Sequence, residues 1–297
     1  MKKQIKTLHI QTSIPHHPTD AQSLRARLIE HAIITFLIQL RPQYPKLFYD
    51  VKAIEVLNRI LGKNNGNLTD DKEEQIDHIT ALLYETYPDL IYFHNHAPDG
   101  SRQEIAYPLI HYRSKRGKAE IYAFADAIPI VEQWLAKADY QSWMSYGQVK
   151  DKKEESQQIS ILKTPKYYRL MDWLALNTDN YQRWLKNVLL KDRVTILEEA
   201  LTGHLRRLAQ AFIKQDDWSQ IKAELIMITK TKEVKAYHHN DLAFNILFRA
   251  NVDLPTSLAI GRSVSLGYGT QSLTRWQGEE KQIITHIQSE LATASRV

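Results

Sequence analysis

Apolar residues recur at helical spacing along much of the chain. Leu28, Ile29 and Ile33 belong to a series that predicts a helix over residues 21–40. His31 lies among these apolar positions, and Pro42 follows the series closely enough to end the helix. The same spacing predicts further helices over residues 51–61, 71–87, 128–138, 179–189 and 194–213.

Between these helices, apolar and β-branched residues predict extended segments. They cover residues 3–12, 106–112, 119–125, 159–168, 221–229 and 234–249. The second and third segments flank a short basic turn and predict a hairpin. In both halves the predicted elements therefore follow the order strand, helix, hairpin, then helix or strand. This order predicts an α+β protein with tandem ferredoxin-like (RRM-like) βαββαβ domains.

A polar stretch marks the middle of the chain. Residues 147–158 contain few apolar side chains and many charged or amide side chains. Such composition favours a boundary between domains. We therefore predict an N-terminal domain over residues 1–155 and a C-terminal domain over residues 156–297.

Composition excludes several kinds of chemistry. The 297 residues include no cysteine, which excludes disulfides, thiolate zinc sites, iron–sulfur clusters and cysteine nucleophiles. The formal net charge of +5 is too small to diagnose nucleic-acid binding by itself. The N-terminus has no apolar signal-peptide core, and no apolar run approaches the roughly 20 residues of a membrane span. We expect a soluble, cytoplasmic protein with no membrane partner.

Glycines cluster near the C-terminus of a chain that has only ten of them. Gly261, Gly267 and Gly269 surround Arg262 and Ser263. Glycines let backbone amides approach a phosphate, and arginine adds a charged fork, so the cluster suits RNA binding. A plain turn between C-terminal strands is the alternative. The pattern lacks the lysine of a P-loop and the βαβ context of a dinucleotide site, so neither ATP nor NAD is favoured.

Two histidines, His94 and His96, are spaced two residues apart. In an extended segment both would lie on one face. Such a pair suits metal-free RNA cleavage, where one imidazole takes the 2′-hydroxyl proton and an acid protonates the leaving 5′-oxygen. A metal site or a polar loop end are the alternatives. The metal site is less favoured because cysteine is absent and no nearby carboxylate pair has clear ligand spacing.

Other side chains in the first half have both a functional and a structural interpretation. Tyr107 could assist acid–base chemistry or stack a base, or it could be an ordinary strand residue. His31 could be a core residue or could face bound RNA. The basic turn could be solvated or could bind phosphates; its cations are Arg113, Lys115, Arg116 and Lys118.

Four segments in order carry a resemblance to one family. Leu24-Arg25 opens the first helix, and Phe93–His96 precedes a Tyr107–Arg113 segment that reads YPLIHYR. WLALNTDNY at 173–181 and AIGRSVSLGYGT at 259–270 complete the set. Together these segments resemble the CRISPR-associated protein 6 family of repeat-RNA endoribonucleases. The similarity is greatest to its type I-B and Bacteroidetes-like branch.

The resemblance implies a function and a mechanism. It implies tandem ferredoxin-like domains, an RNA-contacting glycine-rich loop at 259–270, and metal-independent cleavage of precursor CRISPR RNA within its repeats. The implied products are a 2′,3′-cyclic phosphate and a 5′-hydroxyl. His94 and His96 would be catalytic with Tyr107 assisting, and His31 is the alternative catalytic residue.

Partners follow from the same resemblance. We expect no cofactor and no metal, and CRISPR repeat RNA as the partner; a CRISPR effector complex and a homodimer are further partners that it allows. Two other functions stay open. One is a catalytically silent subunit that only holds CRISPR RNA, and the other is a metal-dependent hydrolase that uses the histidine pair.

Differences from the family pattern refine these expectations. About 70 residues separate Leu24 from His94, which is longer than usual for the branch, so residues 42–88 are predicted to be a helical insertion. His111 stands where the family usually has glutamine. Residues 157–214 carry ten Lys and Arg against five Asp and Glu, so we expect a basic RNA path there. Its candidate residues are Lys163, Lys166, Arg206 and Arg207.

Overall fold

The chain divides into two compact units. The computed structural model describes residues 2–13, 21–94, 107–115, 118–137, 148–187, 189–212, 218–236 and 239–275. Leu8–Lys153 forms one unit, here called the N-terminal unit. Met1–Thr7 joins Glu154–Val297 in the other, here called the C-terminal unit. The predicted domains 1–155 and 156–297 remain predictions of where independent folding units begin and end.

The N-terminal unit follows the predicted order with helices inserted. Strand β1 (Lys2–Ser13) enters it and helix α1 (Ala21–Leu40) follows. Strands β2 (Ile110–Lys115) and β3 (Lys118–Phe124) form an antiparallel hairpin, with β3 between β2 and β1. The other elements are α2 (Ala53–Ile60), α3 (Asp70–Thr86), α4 (Ile91–His94), α5 (Ala127–Lys137) and the start of β4 (Gln148–Leu174).

The inserted helices share the core of this unit. Ile76, Ile79 and Leu83 lie one helical turn apart on α3 and are at most 1% exposed. They belong to the same apolar cluster as Phe36 of α1 and Ile121 of β3. The predicted helical segment is therefore present at residues 53–86, and it packs as part of the unit rather than as a separate attachment.

The C-terminal unit also alternates helix and antiparallel sheet. Its helices are α6 (Thr178–Lys186) and α7 (Leu190–Phe212), and its strands after β4 are β5 (Ala223–Ala236), β6 (His239–Asp253) and β7 (Thr270–Thr274). β6 lies between β4 and β5, and β7 also pairs with β4. Residues 254–269 connect β6 to β7 through a 3-10 turn at Val264–Leu266, where the first unit has an α-helix.

Two segments have a local structure that their composition alone does not specify. Residues 148–158 of the polar stretch lie in a strand, because β4 begins at Gln148. Residues 151–154 of that strand are exposed, which is why its polar composition is compatible with extended structure. Residues 91–94 are helical rather than extended. A 3-10 turn with Pro88 at its start precedes them, and Leu90 and Phe93 both enter the core, which favours helical over alternating geometry.

Within the described part of the chain, none of the helices combines the length and the apolar character that crossing a bilayer would need.

Candidate active site

The predicted catalytic histidines lie where the described structure stops. His94 is the last residue of α4, and its backbone is helical. Phe93, directly before it, is 1% exposed and packs edge-on against Trp134 with ring centroids 5.6 Å apart. His94 therefore follows a fixed core residue. His96 falls within residues 95–106, which lie outside the described residues.

Tyr107 is the first described residue after that segment, and its ring is buried. It is 4% exposed and meets the edge of His111 with centroids 5.3 Å apart. His111 in turn lies edge-on to Phe124 at 4.9 Å. These aromatic contacts hold Tyr107 in one orientation. Its buried ring suits a fixed hydroxyl better than an open surface for base stacking.

His111 is a neutral, fully buried ring. Burial and, to a smaller extent, the charge of Arg113 lower its pKa to about 3, against the opposing effect of a hydrogen bond to the Pro108 carbonyl. The ring atom Nε2 lies 3.1 Å from that carbonyl oxygen, which can only accept. Nε2 therefore carries the proton, and the buried Nδ1 has no partner among the described residues.

Arg113 belongs to a stack of side chains across three strands. Its guanidinium lies 4.4 Å from the ring centre of Tyr122 on β3. His9 on β1 is parallel to the same ring, with centroids 4.4 Å apart and planes 5° apart. The Tyr122 hydroxyl donates to Glu120 over 3.1 Å, and burial raises the pKa of Tyr122 to about 12.

His9 and Tyr122 are not among the residues predicted from the sequence. The available signal was alternation, since each is next to a core residue on its own strand and so faces away from the helices. Lys115 and Lys118 form the last backbone pair of the hairpin, and Arg116 lies outside the described residues.

His31, the alternative catalytic residue, is held by tryptophan. The Trp134 Nε1 atom donates to His31 Nδ1 over 3.2 Å, and the two rings meet at 72°. His31 is 9% exposed, and its carbonyl accepts a hydrogen bond from the Thr35 hydroxyl. This geometry is that of a core histidine.

The glycine-rich loop owes its shape to its glycines. A Cβ on Gly269 would lie 1.9 Å from the Ile260 carbonyl oxygen, and one on Gly261 would lie 2.6 Å from Trp173 Cδ1. Gly261, Gly267 and Gly269 all have positive φ. The Ile260 amide donates to the Gly269 carbonyl over 2.8 Å and closes the loop. At Gly261 and Gly269, only glycine fits without displacing backbone or a buried indole.

Arg262 anchors the loop while remaining partly exposed. Its Nη1 donates to the Leu176 carbonyl and to Asp241, 3.3 Å away, and its backbone amide donates to the Leu174 carbonyl over 3.2 Å. The side chain is nevertheless 36% exposed. Ser263, next in the chain, has a left-handed backbone with φ of 52°.

The two neighbouring arginines of α7 differ in their surroundings. Arg206 Nη2 donates to the carbonyls of Ser219 and Ile221, over 2.9 and 3.2 Å. It therefore fastens the chain that leads into β5. Arg207 is exposed, and one turn before it lies His204, which accepts a hydrogen bond from Trp173 Nε1 over 3.3 Å. Sequence reasoning did not single out His204.

Lys163 and Lys166 lie on β4 in different settings. Lys163 is exposed and lines an open cavity of about 690 Å³ with Lys222 and Arg249. Arg249 is paired with Glu224 at 2.6 Å, so the cavity carries both signs of charge. Lys166 is paired with Asp253 at 2.7 Å. Surface pairs of this kind contribute little stability.

The described ranges offer no ready metal site. None of their His, Asp and Glu side chains come together in threes or more with a geometry that could hold an ion.

Two protein-family models match adjacent parts of the chain. The Cas6b N-terminal domain matches residues 43–162, and the Cas6b C-terminal domain matches residues 160–273. The chain belongs to the Cas6 family. Members of this family are CRISPR RNA processing endoribonucleases, which confirms the family expected from sequence. Its placement in the type I-B branch stays a prediction. The first match includes α2 and α3, so these helices belong to the family's N-terminal domain.

Solved structures show the same fold. The chain is 17% identical to a protein described as "Crystal structure of Cas6b", with a TM-score of 0.58 over 92% of this chain and 100% of that one. A second, "Crystal structure of CRISPR RNA processing endoribonuclease Cas6b", is also 17% identical over the same shares, with a TM-score of 0.50. These matches confirm the α+β, tandem ferredoxin-like fold. Comparison with curated protein sequences gives no match.

Proposed function

We propose that this Cas6 family member is a metal-independent endoribonuclease that cleaves precursor CRISPR RNA within its repeats. One observation carries the proposal. The two Cas6b domain matches together run from residue 43 to residue 273 and include both the histidine pair and the glycine-rich loop. CRISPR repeat RNA, which Cas6 homologues bind, is the proposed partner.

The chemistry is an internal transesterification at one phosphate. A base removes the proton from a 2′-hydroxyl, whose oxygen attacks the adjacent phosphorus. The bond from phosphorus to the 5′-oxygen breaks, and an acid protonates that oxygen. The products are a 2′,3′-cyclic phosphate and a 5′-hydroxyl, and no water is consumed. Imidazole can act either as a base or as an acid near neutral pH, so two histidines can supply both functions. His94 and His96 are assigned these roles.

Tyr107 is assigned to orienting the reacting groups. It follows His96 by eleven residues, and its ring is held by the neutral His111 at 5.3 Å. A fixed hydroxyl at this point can donate to a phosphate oxygen. Removal of the hydroxyl alone, as in Tyr107→Phe, is expected to slow cleavage less than loss of either histidine.

Cations of both units are assigned to the RNA phosphates. In the hairpin of the N-terminal unit, Arg113 stacks on Tyr122. We assign phosphate contacts to it together with Lys115, Arg116 and Lys118. In the C-terminal unit, phosphate contacts are assigned to Arg207, Arg262 and Lys163. They are also assigned to Lys166, whose ammonium group keeps further N–H donors besides the one that faces Asp253. The glycines of the loop are required by its own packing. Because they carry no side chain, they also let the loop backbone come close to RNA.

The test is cleavage of end-labelled repeat RNA in excess EDTA. The wild type is expected to cut, and His94→Ala and His96→Ala are each expected to slow the chemical step by about 100-fold or more. His78→Ala is the matched control, because His78 is an exposed histidine on α3 to which no role is assigned. It is expected to cut at the wild-type rate.

Other results would select another function. Loss of cleavage in EDTA with recovery in Zn²⁺ or Mn²⁺ would indicate a metal-dependent hydrolase. Binding of repeat RNA without cleavage would indicate a silent RNA-binding subunit. Full activity of both histidine variants would move the catalytic role to His31 or to another residue.

A further inference from the structure

The indole of Trp173 holds two parts of the C-terminal unit together. Its Nε1 donates to His204 Nδ1 on α7 over 3.3 Å. Its Cδ1 lies so close to Gly261 that a Cβ there would be 2.6 Å away. Trp173 itself is 0% exposed. A buried, immobile ring therefore fixes His204 and the start of the glycine-rich loop with respect to each other.

The bond from Trp173 also determines which nitrogen of His204 carries a proton. An indole N–H can only donate, so His204 Nδ1 must be the bare acceptor. Burial, together with the charges of Arg207 and Arg262, lowers the pKa of His204 to about 3. The ring is therefore neutral at physiological pH, with its proton on Nε2. That Nε2 makes no hydrogen bond with the described residues, and His204 as a residue is partly exposed.

The charges around His204 are arranged to receive an anion. Arg207 lies one turn further along α7 and is exposed. Arg262 comes from the glycine-rich loop, is 36% exposed, and is only partly offset by Asp241 at 3.3 Å. These groups are N–H donors, two of them cationic. A phosphodiester, which offers only acceptor oxygens and a negative charge, is the part of RNA that matches them.

The N-terminal unit contains a similar tryptophan–histidine pair in its apolar core. His31 accepts from Trp134 over 3.2 Å, but its ring is packed among apolar residues of the core. A tryptophan–histidine hydrogen bond by itself therefore serves only to stabilise packing. The two arginines and the glycine-rich loop distinguish the His204 pair from it.

We propose that His204, as a neutral Nε2–H donor, binds a phosphate of the RNA together with Arg207 and Arg262. This inference rests on the proposed function, because it assigns one phosphate of the repeat RNA to the surface between α7 and the glycine-rich loop. His204 binds RNA here and takes no part in the chemical step.

Salt dependence separates a neutral donor from a cation. Equilibrium binding is measured on repeat RNA with a 2′-deoxy nucleotide at the cut site, at several KCl concentrations. His204→Ala is expected to weaken binding about tenfold or more, because a hydrogen bond to a charged group is lost. Its log–log salt slope is expected to equal that of the wild type, since a neutral donor displaces no counterion. Arg207→Gln is expected to weaken binding and to reduce the slope by roughly 0.7.

Two further variants guard against a folding defect. His204→Gln keeps an amide donor near the same place and is expected to retain affinity within a few-fold of the wild type. Trp134→Phe is the matched control, because it removes the equivalent indole donor from the N-terminal pair. It is expected to leave the affinity of the folded protein for RNA unchanged.

The outcomes separate this inference from the proposed function. Wild-type affinity of folded His204→Ala would overturn the phosphate contact while leaving the nuclease intact. A reduced salt slope in His204→Ala would overturn the neutral-donor assignment. Failure of wild-type protein to bind repeat RNA at all would overturn both proposals. At saturating cleavable RNA, a cleavage rate 100-fold slower in His204→Ala than in the wild type would contradict a role confined to binding.

Discussion

The two units use the same tryptophan–histidine bond in different surroundings. In the N-terminal unit, Trp134 on α5 and His31 on α1 are 5.9 Å apart between ring centroids, inside an apolar cluster. In the C-terminal unit, Trp173 on β4 and His204 on α7 are 6.0 Å apart, beside two arginines and a glycine-rich loop. The local geometry is nearly identical. The neighbouring charge and backbone, rather than the pair itself, give the second site its capacity to bind an anion.

Glycines differ between the units in the same way. Gly66 in the N-terminal unit has a positive φ but no atom within 4 Å of an added Cβ. Gly269 in the C-terminal unit has a positive φ and a backbone carbonyl in the way. One position needs glycine for conformation alone, and the other needs it for conformation and space.

The largest effect on stability is expected when an alanine replaces a glycine of the C-terminal loop. Gly269→Ala places a Cβ 1.9 Å from the Ile260 carbonyl oxygen, so the loop must open or the protein must fail to fold. We expect a loss of unfolding free energy of about 3 kcal/mol or more from clash and strained φ together. Gly66→Ala is the control, with an expected loss of about 1 kcal/mol. Urea denaturation measures both, and equal losses would contradict the steric account of the loop.

Replacing each tryptophan sharpens the comparison of the pairs. Trp134→Phe and Trp173→Phe each remove the donor to a histidine Nδ1 and leave a small cavity. Each is expected to cost about 2–3 kcal/mol of unfolding free energy. Only Trp173→Phe is expected to weaken RNA binding as well, measured on folded protein at low temperature. Equal effects of the two variants on RNA affinity would remove the functional difference between the units.

The pH dependence of stability tests the neutral histidine of each unit, His111 and His204. His111 and His204 each have a folded-state pKa of about 3, below the ordinary value of 6.5. As pH falls below 6.5 the unfolded chain takes up protons that the folded chain does not, so stability is lost between pH 6.5 and 3. From pH 7 to pH 5 each histidine contributes a loss of up to about 2 kcal/mol.

His111→Gln and His204→Gln each remove one titrating ring and are expected to reduce that loss. Urea titrations at pH 7 and pH 5 give the comparison with the wild type. A wild-type stability that does not change between these pH values would contradict the neutral state of both rings.

The smallest expected effect separates Arg206 from Arg207. Arg206→Ala loses two hydrogen bonds to backbone carbonyls and is expected to cost about 1 kcal/mol of stability. Arg207→Ala is expected to change stability by less than about 0.5 kcal/mol, since the side chain is exposed. For RNA affinity the order is reversed. Thermal unfolding together with RNA binding would contradict this assignment if Arg206→Ala weakened binding more than Arg207→Ala.

Much of the fold could be predicted because its local signals agree with its packing. The first helix was predicted at residues 21–40 and is Ala21–Leu40, since its apolar period matches the face that enters the core. The glycine cluster at 261–269 also marked a loop of special backbone geometry, because close contacts at Gly261 and Gly269 leave no room for a side chain.

Other features depend on contacts between distant residues and carry little local signal. Residues 91–94 are helical because a preceding 3-10 turn and two core side chains select that geometry. The His9–Tyr122–Arg113 stack joins three strands, and the Trp173–His204 bond joins residues 31 apart in the sequence. A single sequence shows such residues without showing that they meet.

The most direct test of the account is the chemistry of the cut ends. Repeat RNA is incubated with the wild-type protein in excess EDTA, and the products are identified by mass spectrometry beside a substrate with a 2′-deoxy nucleotide at the cut site. The account predicts a 2′,3′-cyclic phosphate and a 5′-hydroxyl, with no cleavage of the deoxy substrate. A 5′-phosphate product, or cleavage of the deoxy substrate, would contradict attack by the 2′-hydroxyl and with it the proposed roles of His94 and His96.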